Sequence, residues 1–140
     1  TYYSYLFVEY GIHRFSHFKH KYNLFYYNHI KHHKKHYDYK NVIAKSPFKC
    51  DTYFYIPVSA LLHLPILLIS YYFNILLIES IIYMLIIDHI HDQYHTNHSY
   101  LERFVWFQNK KKKHLYHHKK THRNFNIIDF TSDKMNQTYD

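Results

Sequence analysis

A His-x-x-x-His pair followed by a His-x-x-His-His cluster occurs twice in this chain, first at His13, His17, His29, His32 and His33, then at His91, His95, His114, His117 and His118. On a helix, residues at i and i+4, or at i, i+3 and i+4, share one face, so each motif can aim its imidazoles at a common point. Two such halves can together enclose two metal ions. That obliges the fold to bring the two ends of the chain to one place. Sixteen of the 140 residues are histidine, and at that frequency a single His-x-x-His-His arises by chance about 0.2 times and two copies about 0.02 times. Coincidence is smaller still when each copy must follow a His-x-x-x-His.

Composition changes sharply near Tyr53. From Tyr53 to Ile87 there is no Lys, Arg or Asp, Glu79 is the only acidic residue, and runs of Leu and Ile dominate. A helix crossing a bilayer needs about 17 to 25 residues, so this stretch holds one long span or a tight hairpin of two short ones. Tyr71-Tyr72-Phe73-Asn74 supplies interfacial aromatics and a turn-competent Asn near its midpoint. A site built from both histidine halves also needs an even number of crossings between them, as a hairpin provides. Lys31, Lys34, Lys35, Lys40, Lys45 and Lys49 precede the apolar region, and Arg103 with Lys110 to Lys113 follows it, which places both flanks in the cytosol. Pro57 fits the start of the first arm, and Pro65 would kink it.

The expected fold is therefore all-α: one integral-membrane helical domain over 1–140. Residues 1–52 carry the first histidine half, 53–88 form a transmembrane helical hairpin, and 89–140 carry the second half, with the histidine boxes in a cytosolic helical cap. A buried hairpin in a globular core is the soluble alternative. Tyr2 to Gly11 reads as the tail of an apolar, aromatic helix already in progress, so an N-terminally incomplete fragment is expected. The net charge of +8 suits nucleic acid or an anionic membrane surface. Nucleic-acid binding gives no reason for an apolar stretch of this length without a single Lys or Arg, so no nucleic-acid partner is expected. The lone Cys50 cannot form an internal disulfide, and one glycine, Gly11, excludes a Gly-rich phosphate loop for a flavin or nicotinamide.

Imidazole suits iron, zinc, copper and nickel, and ten imidazoles exceed what one tetrahedral zinc can use. Two ions are the natural count. Neutral ligands bring no compensating charge, so nearby carboxylates are expected to orient ring N–H groups; Asp88, Asp92 and Asp133 are the candidates, with Asp129 as a further one. His89 competes with His91, but only His91 forms the i, i+4 pair with His95. His20, His36, His98 and His122 complete no second box, and His63 reads as a core histidine. Glu79 is costly in lipid and should face protein, a cavity or the hairpin turn.

Taken together, these residues resemble the fatty acid hydroxylase and sterol desaturase superfamily of integral-membrane non-haem diiron enzymes. His13-Arg14-Phe15-Ser16-His17 resembles that family's first His-Arg-x-x-His box and His29-Ile30-Lys31-His32-His33 its second. Beyond the apolar region, His91-Asp92-Gln93-Tyr94-His95 is similar to the third box and His114-Leu115-Tyr116-His117-His118 to the fourth. Asn124-Phe125-Asn126 and Thr131 to Thr138 resemble the closing Asn-Tyr-Gly and Trp-Asp-x-x-Phe-Gly-Thr pattern. There Asn126 and Gln137 stand in place of Gly, and Ser132 and Asn136 in place of Trp and Phe. The likeness runs from Glu9 to Thr138. It implies an oxygen-dependent lipid hydroxylase or desaturase in which the ten histidines hold two iron ions, with O2 as co-substrate and zinc as an alternative occupant on isolation. It further implies a fatty acyl or sterol substrate, electrons from a donor such as cytochrome b5 and its reductase, and an internal membrane such as the endoplasmic reticulum. A non-catalytic histidine-rich membrane metal-binding protein, zinc-binding or an inactive homologue, is the alternative.

Overall fold

The computed structural model describes residues 2–36 and 73–140. Among these, five α-helices follow in order: α1 (Tyr2–Ser16), α2 (Leu24–Lys31), α3 (Phe73–His95), α4 (Val105–Lys119) and the short α5 (Thr131–Met135). Helix α2 runs on into a π-helical turn, His32–His36, and a 3-10 turn, Tyr100–Arg103, joins α3 to α4.

Two corners set the relative placement of these helices. At the first, the side chain of Asn23 accepts from the Tyr26 amide at 3.2 Å and so caps α2. Its amide group also donates to the carbonyls of Phe15 and Phe18, both at 2.9 Å, at the end of α1. One buried Asn thus satisfies orphan groups at two helix ends and fixes the turn between them. At the second corner, Ser99 caps the 3-10 turn through the Leu101 amide and donates to Gln93. Lys111 of α4 reaches back to the Thr96 carbonyl at 2.8 Å and the Glu102 carboxylate at 2.5 Å. The lysine run therefore lies on a helix, and Lys111 is buried in an ion pair that closes the α3–α4 corner.

Ile87 and Tyr94 of α3, Phe107 of α4 and Ile127 form a core cluster, flanked by Tyr83, Ile90, Leu101 and Ile128. The Tyr94 hydroxyl donates to the Ile127 carbonyl at 2.9 Å, which ties the C-terminal segment to α3. Helix α1 joins this body through Tyr5, which stacks on Tyr83 and donates to the Leu76 carbonyl. Leu6 and Tyr10 of the same helix are buried.

No helix among the described residues is long and apolar enough to cross a membrane. This overturns the integral-membrane fold with its transmembrane hairpin over 53–88. The first arm, 53–72 with Pro57, His63 and Pro65, lies outside the described residues. The second arm is no separate span, because Phe73 to Ile87 is the front of one 23-residue helix whose last turns carry Asp88, His91, Asp92 and His95. Glu79 is exposed on this helix, and Phe73 and Asn74 lie within it instead of in a turn, while Tyr71 and Tyr72 lie outside the described residues.

Candidate metal centre

The ten paired-motif histidines are gathered by the fold into two groups of five. His13, His17, His29, His33 and His117 form the first, and His32, His91, His95, His114 and His118 the second. In each group one ligand nitrogen per residue lies within 4.8 Å of all the others. The groups do not follow the two halves of the sequence: His32 leaves the first half for the second group, and His117 makes the reverse exchange. The groups abut, with His33 and His118 stacked across the boundary at a centroid distance of 4.2 Å.

Four elements supply the first group. Helix α1 presents His13, with His17 in the turn just past its end, α2 presents His29, the π-helical turn His33, and α4 His117. His33 Nε2 lies 2.9 Å from His29 Nε2, which lies 3.0 Å from His17 Nε2, itself 3.2 Å from His117 Nε2. In the second group His114 Nε2 lies 3.0 Å from His95 Nε2 and 3.2 Å from His118 Nε2. The His32 ring packs over His91, His95 and His118 with centroids 4.7 to 5.0 Å apart.

These separations fit ligation. Two nitrogens about 2.1 Å from one ion lie about 3.0 Å apart at a right angle and about 3.4 Å apart at the tetrahedral angle. The observed spacing suits five donors about one ion better than four. The tautomers agree for two rings. His13 Nδ1 meets the Phe125 carbonyl and His117 Nδ1 the Arg123 carbonyl, the latter at 2.6 Å. A carbonyl only accepts, so both rings carry their proton on Nδ1 and turn a bare Nε2 inward. The His13 Nε2 is buried with no hydrogen-bond partner, a lone pair that a cation would satisfy.

Burial also keeps the imidazoles neutral. Desolvation lowers His13 to about 4, against a smaller raising effect of the Phe125 carbonyl. It lowers His17 to about 3, helped by the neighbouring His13. His29, His32, His33, His91, His114 and His117 are pushed well below the ordinary range, by burial first and by neighbouring imidazoles second. Uncharged rings with available lone pairs at neutral pH are what a metal requires.

Among the expected carboxylates, Asp133 is buried but touches no imidazole in its hydrogen bonds: it accepts from the amides of Phe125 and Asn126, both at 2.8 Å. Asp92 is buried on α3 and Asp88 half-buried one turn earlier. Asp129 caps the Thr131 amide and bonds the Tyr2 hydroxyl, away from both groups. His89 is exposed and bonds the Tyr100 hydroxyl at 2.8 Å, so His91 is the one gathered. His20, His98 and His122 are likewise exposed and outside both groups.

Sequence reasoning missed the carbonyls that orient His13 and His117, because a backbone group leaves no mark in residue identity. It also missed Glu9, which is buried and accepts from the Ile127 amide and, at 3.0 Å, from the Tyr83 hydroxyl. A signal existed: Glu9 stands four residues before His13 and so on the same face of α1.

Comparison with protein-family models, with curated proteins and with solved structures returns no match to this chain.

Proposed function

We propose that the protein is an oxygen-dependent oxidoreductase that uses two iron ions, one per histidine group, to hydroxylate or desaturate a C–H bond of a fatty acyl chain or sterol. The observation that carries this reading is the pair of adjoining five-histidine groups, interlocked by the exchange of His32 and His117. Two adjacent nitrogen-rich sites suit a redox pair, whereas a structural zinc is usually closed by four ligands. When bound, iron would supply the one-electron and oxygen chemistry that no side chain offers.

The chain's own residues do the rest. His13, His17, His29, His33 and His117 would hold one ion, and His32, His91, His95, His114 and His118 the other. The Phe125 and Arg123 carbonyls keep two of these rings turned inward. Burial excludes water from the ligand nitrogens. Ile75, Ile78, Ile82 and Ile86 leave an exposed apolar surface along α3, the helix that ends in His91 and His95. That surface supports a hydrocarbon-rich substrate. Electrons would come from a separate donor such as cytochrome b5, since the single Gly11 provides no phosphate-cradling loop.

The test is lipid analysis of a host expressing the protein with iron supplied. A new hydroxylated or unsaturated lipid is expected, and it should vanish in His32→Ala and in His117→Ala. Persistence of the product in both variants would overturn the reading; two bound zinc ions with no product would favour a metal-holding protein instead.

A further inference from the structure

We infer that Asp133 is a positioning residue for the first histidine group alone, acting through a peptide unit instead of a direct bond to a ligand. The inference rests on the metal-binding reading above. In a trans peptide the carbonyl of one residue and the N–H of the next point in opposite directions from one rigid plane. The carbonyl of Phe125 accepts from His13 Nδ1, and the N–H in the same plane, that of Asn126, donates to Asp133 Oδ2 at 2.8 Å. Gripping the N–H therefore aims the carbonyl. The chain of contacts runs from carboxylate to peptide to imidazole, and the inner end is the bare His13 Nε2.

The neighbouring bonds remove the remaining freedom. Asp133 Oδ1 takes the Phe125 N–H at 2.8 Å, and Glu9 takes that of Ile127, so three consecutive amides are held by two buried carboxylates. The same construction serves His117. Its Nδ1 donates to the Arg123 carbonyl, and the N–H of that peptide, on Asn124, donates to the Thr138 carbonyl at 2.8 Å. Thr138 is in turn fixed on Asp133, through its hydroxyl to Oδ1 at 2.7 Å and its amide to the Asp133 carbonyl at 2.8 Å. Both ligands oriented in this way belong to the first group. A carboxylate at the far end also polarises the peptide toward the ring and raises its basicity as a ligand.

Zinc alone is the probe, because it is diamagnetic and binds imidazole. In the wild-type chain two zinc ions are expected per molecule by calorimetric titration and elemental analysis. Asp133→Asn, which turns an N–H donor toward one of the two amides, should bind one ion 10- to 100-fold more weakly and leave the other unchanged. The retained ion reports that the fold survives. Thr138→Val removes only the hydroxyl and keeps the Asn126 amide grip, so both ions should remain. Nitrogen NMR of the zinc-loaded wild type gives a readout independent of any variant: His13 and His117 should carry hydrogen on Nδ1 and zinc on Nε2. Zinc on Nδ1 of His13, or two unchanged ions in Asp133→Asn, would overturn the inference. Failure of the wild type to bind two ions would instead overturn the metal-binding reading beneath it.

Discussion

Gln137 adopts φ 57, in the left-handed region that costs a residue with a side chain roughly 1 to 2 kcal/mol. It stands where the closing pattern that this segment resembles has Gly, whereas Asn126, the other such position, keeps an ordinary φ and uses its side chain to donate to the Leu6 carbonyl at 3.0 Å. Gln137→Gly should therefore stabilise the protein by about 0.5 to 1 kcal/mol in urea unfolding, after the added entropy of the unfolded chain is offset. The carbonyl that receives Arg123 is kept in that variant. Glu9 carries a different strain. Burial pushes its carboxyl from the ordinary 4.5 up to about 7, against the lowering effect of the Ile127 and Tyr83 bonds. The folded state binds this proton more tightly than the unfolded chain, so its contribution is full below pH 4.5 and is lost as pH rises through about 7. Glu9→Gln keeps an acceptor for Ile127 and removes the ionisation; its stability relative to wild type should rise between pH 5 and 8. Glu9→Leu leaves the Ile127 amide without an acceptor and should cost about 1 to 3 kcal/mol at either pH. A Glu9→Gln profile parallel to wild type would reject the assignment.

At the level of elements, helix geometry explains why the histidines regroup. Residues at i and i+4 point within about 40° of each other, while i+3 lies about 100° from i+4. Each i, i+4 pair stays in one group: His13 with His17, His29 with His33, His91 with His95, His114 with His118. The two i+3 members, His32 and His117, turn to the neighbouring group. That these ten histidines come together was thus legible from spacing, but their division was not, since the azimuth of one residue has meaning only once the second group lies beside the first. The apolar stretch failed for a related reason. Composition shows that Phe73 to Ile87 avoids charge apart from Glu79, but not that the same helix continues into ligand-bearing turns. The corners at Asn23 and Lys111 were also unreadable, because both depend on partners that only the folded chain brings near. The regrouping makes a specific prediction for ion stoichiometry. His13→Ala combined with His117→Ala removes two ligands from one group, and the protein should still hold one zinc. His117→Ala combined with His118→Ala strikes adjacent residues of both groups and should weaken both ions. One tight ion surviving in the adjacent pair, with none in the distant pair, would restore a division by sequence halves.

For the molecule as a whole, the described interior holds imidazole beside hydrocarbon, with seven histidines buried among the described residues. His95, His114 and His117 are among its most buried side chains, and the apolar cluster on Ile87, Tyr94, Phe107 and Ile127 meets them where Tyr94 stacks on His114 at a centroid distance of 5.4 Å. Such an interior resists solvent only while its rings stay neutral or bound. An ion that binds the folded chain alone adds about 2.7 kcal/mol per site at a hundred times its Kd. Chelation should therefore lower the unfolding temperature in proportion to the free metal withdrawn. Acid should act on the same rings. His13 is lowered to about 4 and His17 to about 3, against an ordinary 6.5. The unfolded chain then binds more protons, so the stability these rings provide is complete above pH 6.5 and is lost as pH falls toward 4 and then 3. Glu9 has the opposite sign between pH 4.5 and 7, but it is one carboxyl against several buried imidazoles shifted downward, so the imidazoles set the slope. The chelated protein should lose urea resistance steadily from pH 7 to pH 5. The zinc-loaded protein should hold its midpoint further into that range and then fall steeply, as protons displace the ions and both effects combine. Equal midpoints at pH 7 and pH 5 in the chelated protein would mean that the rings are exposed, and that the two groups are not the interior that holds the helices together.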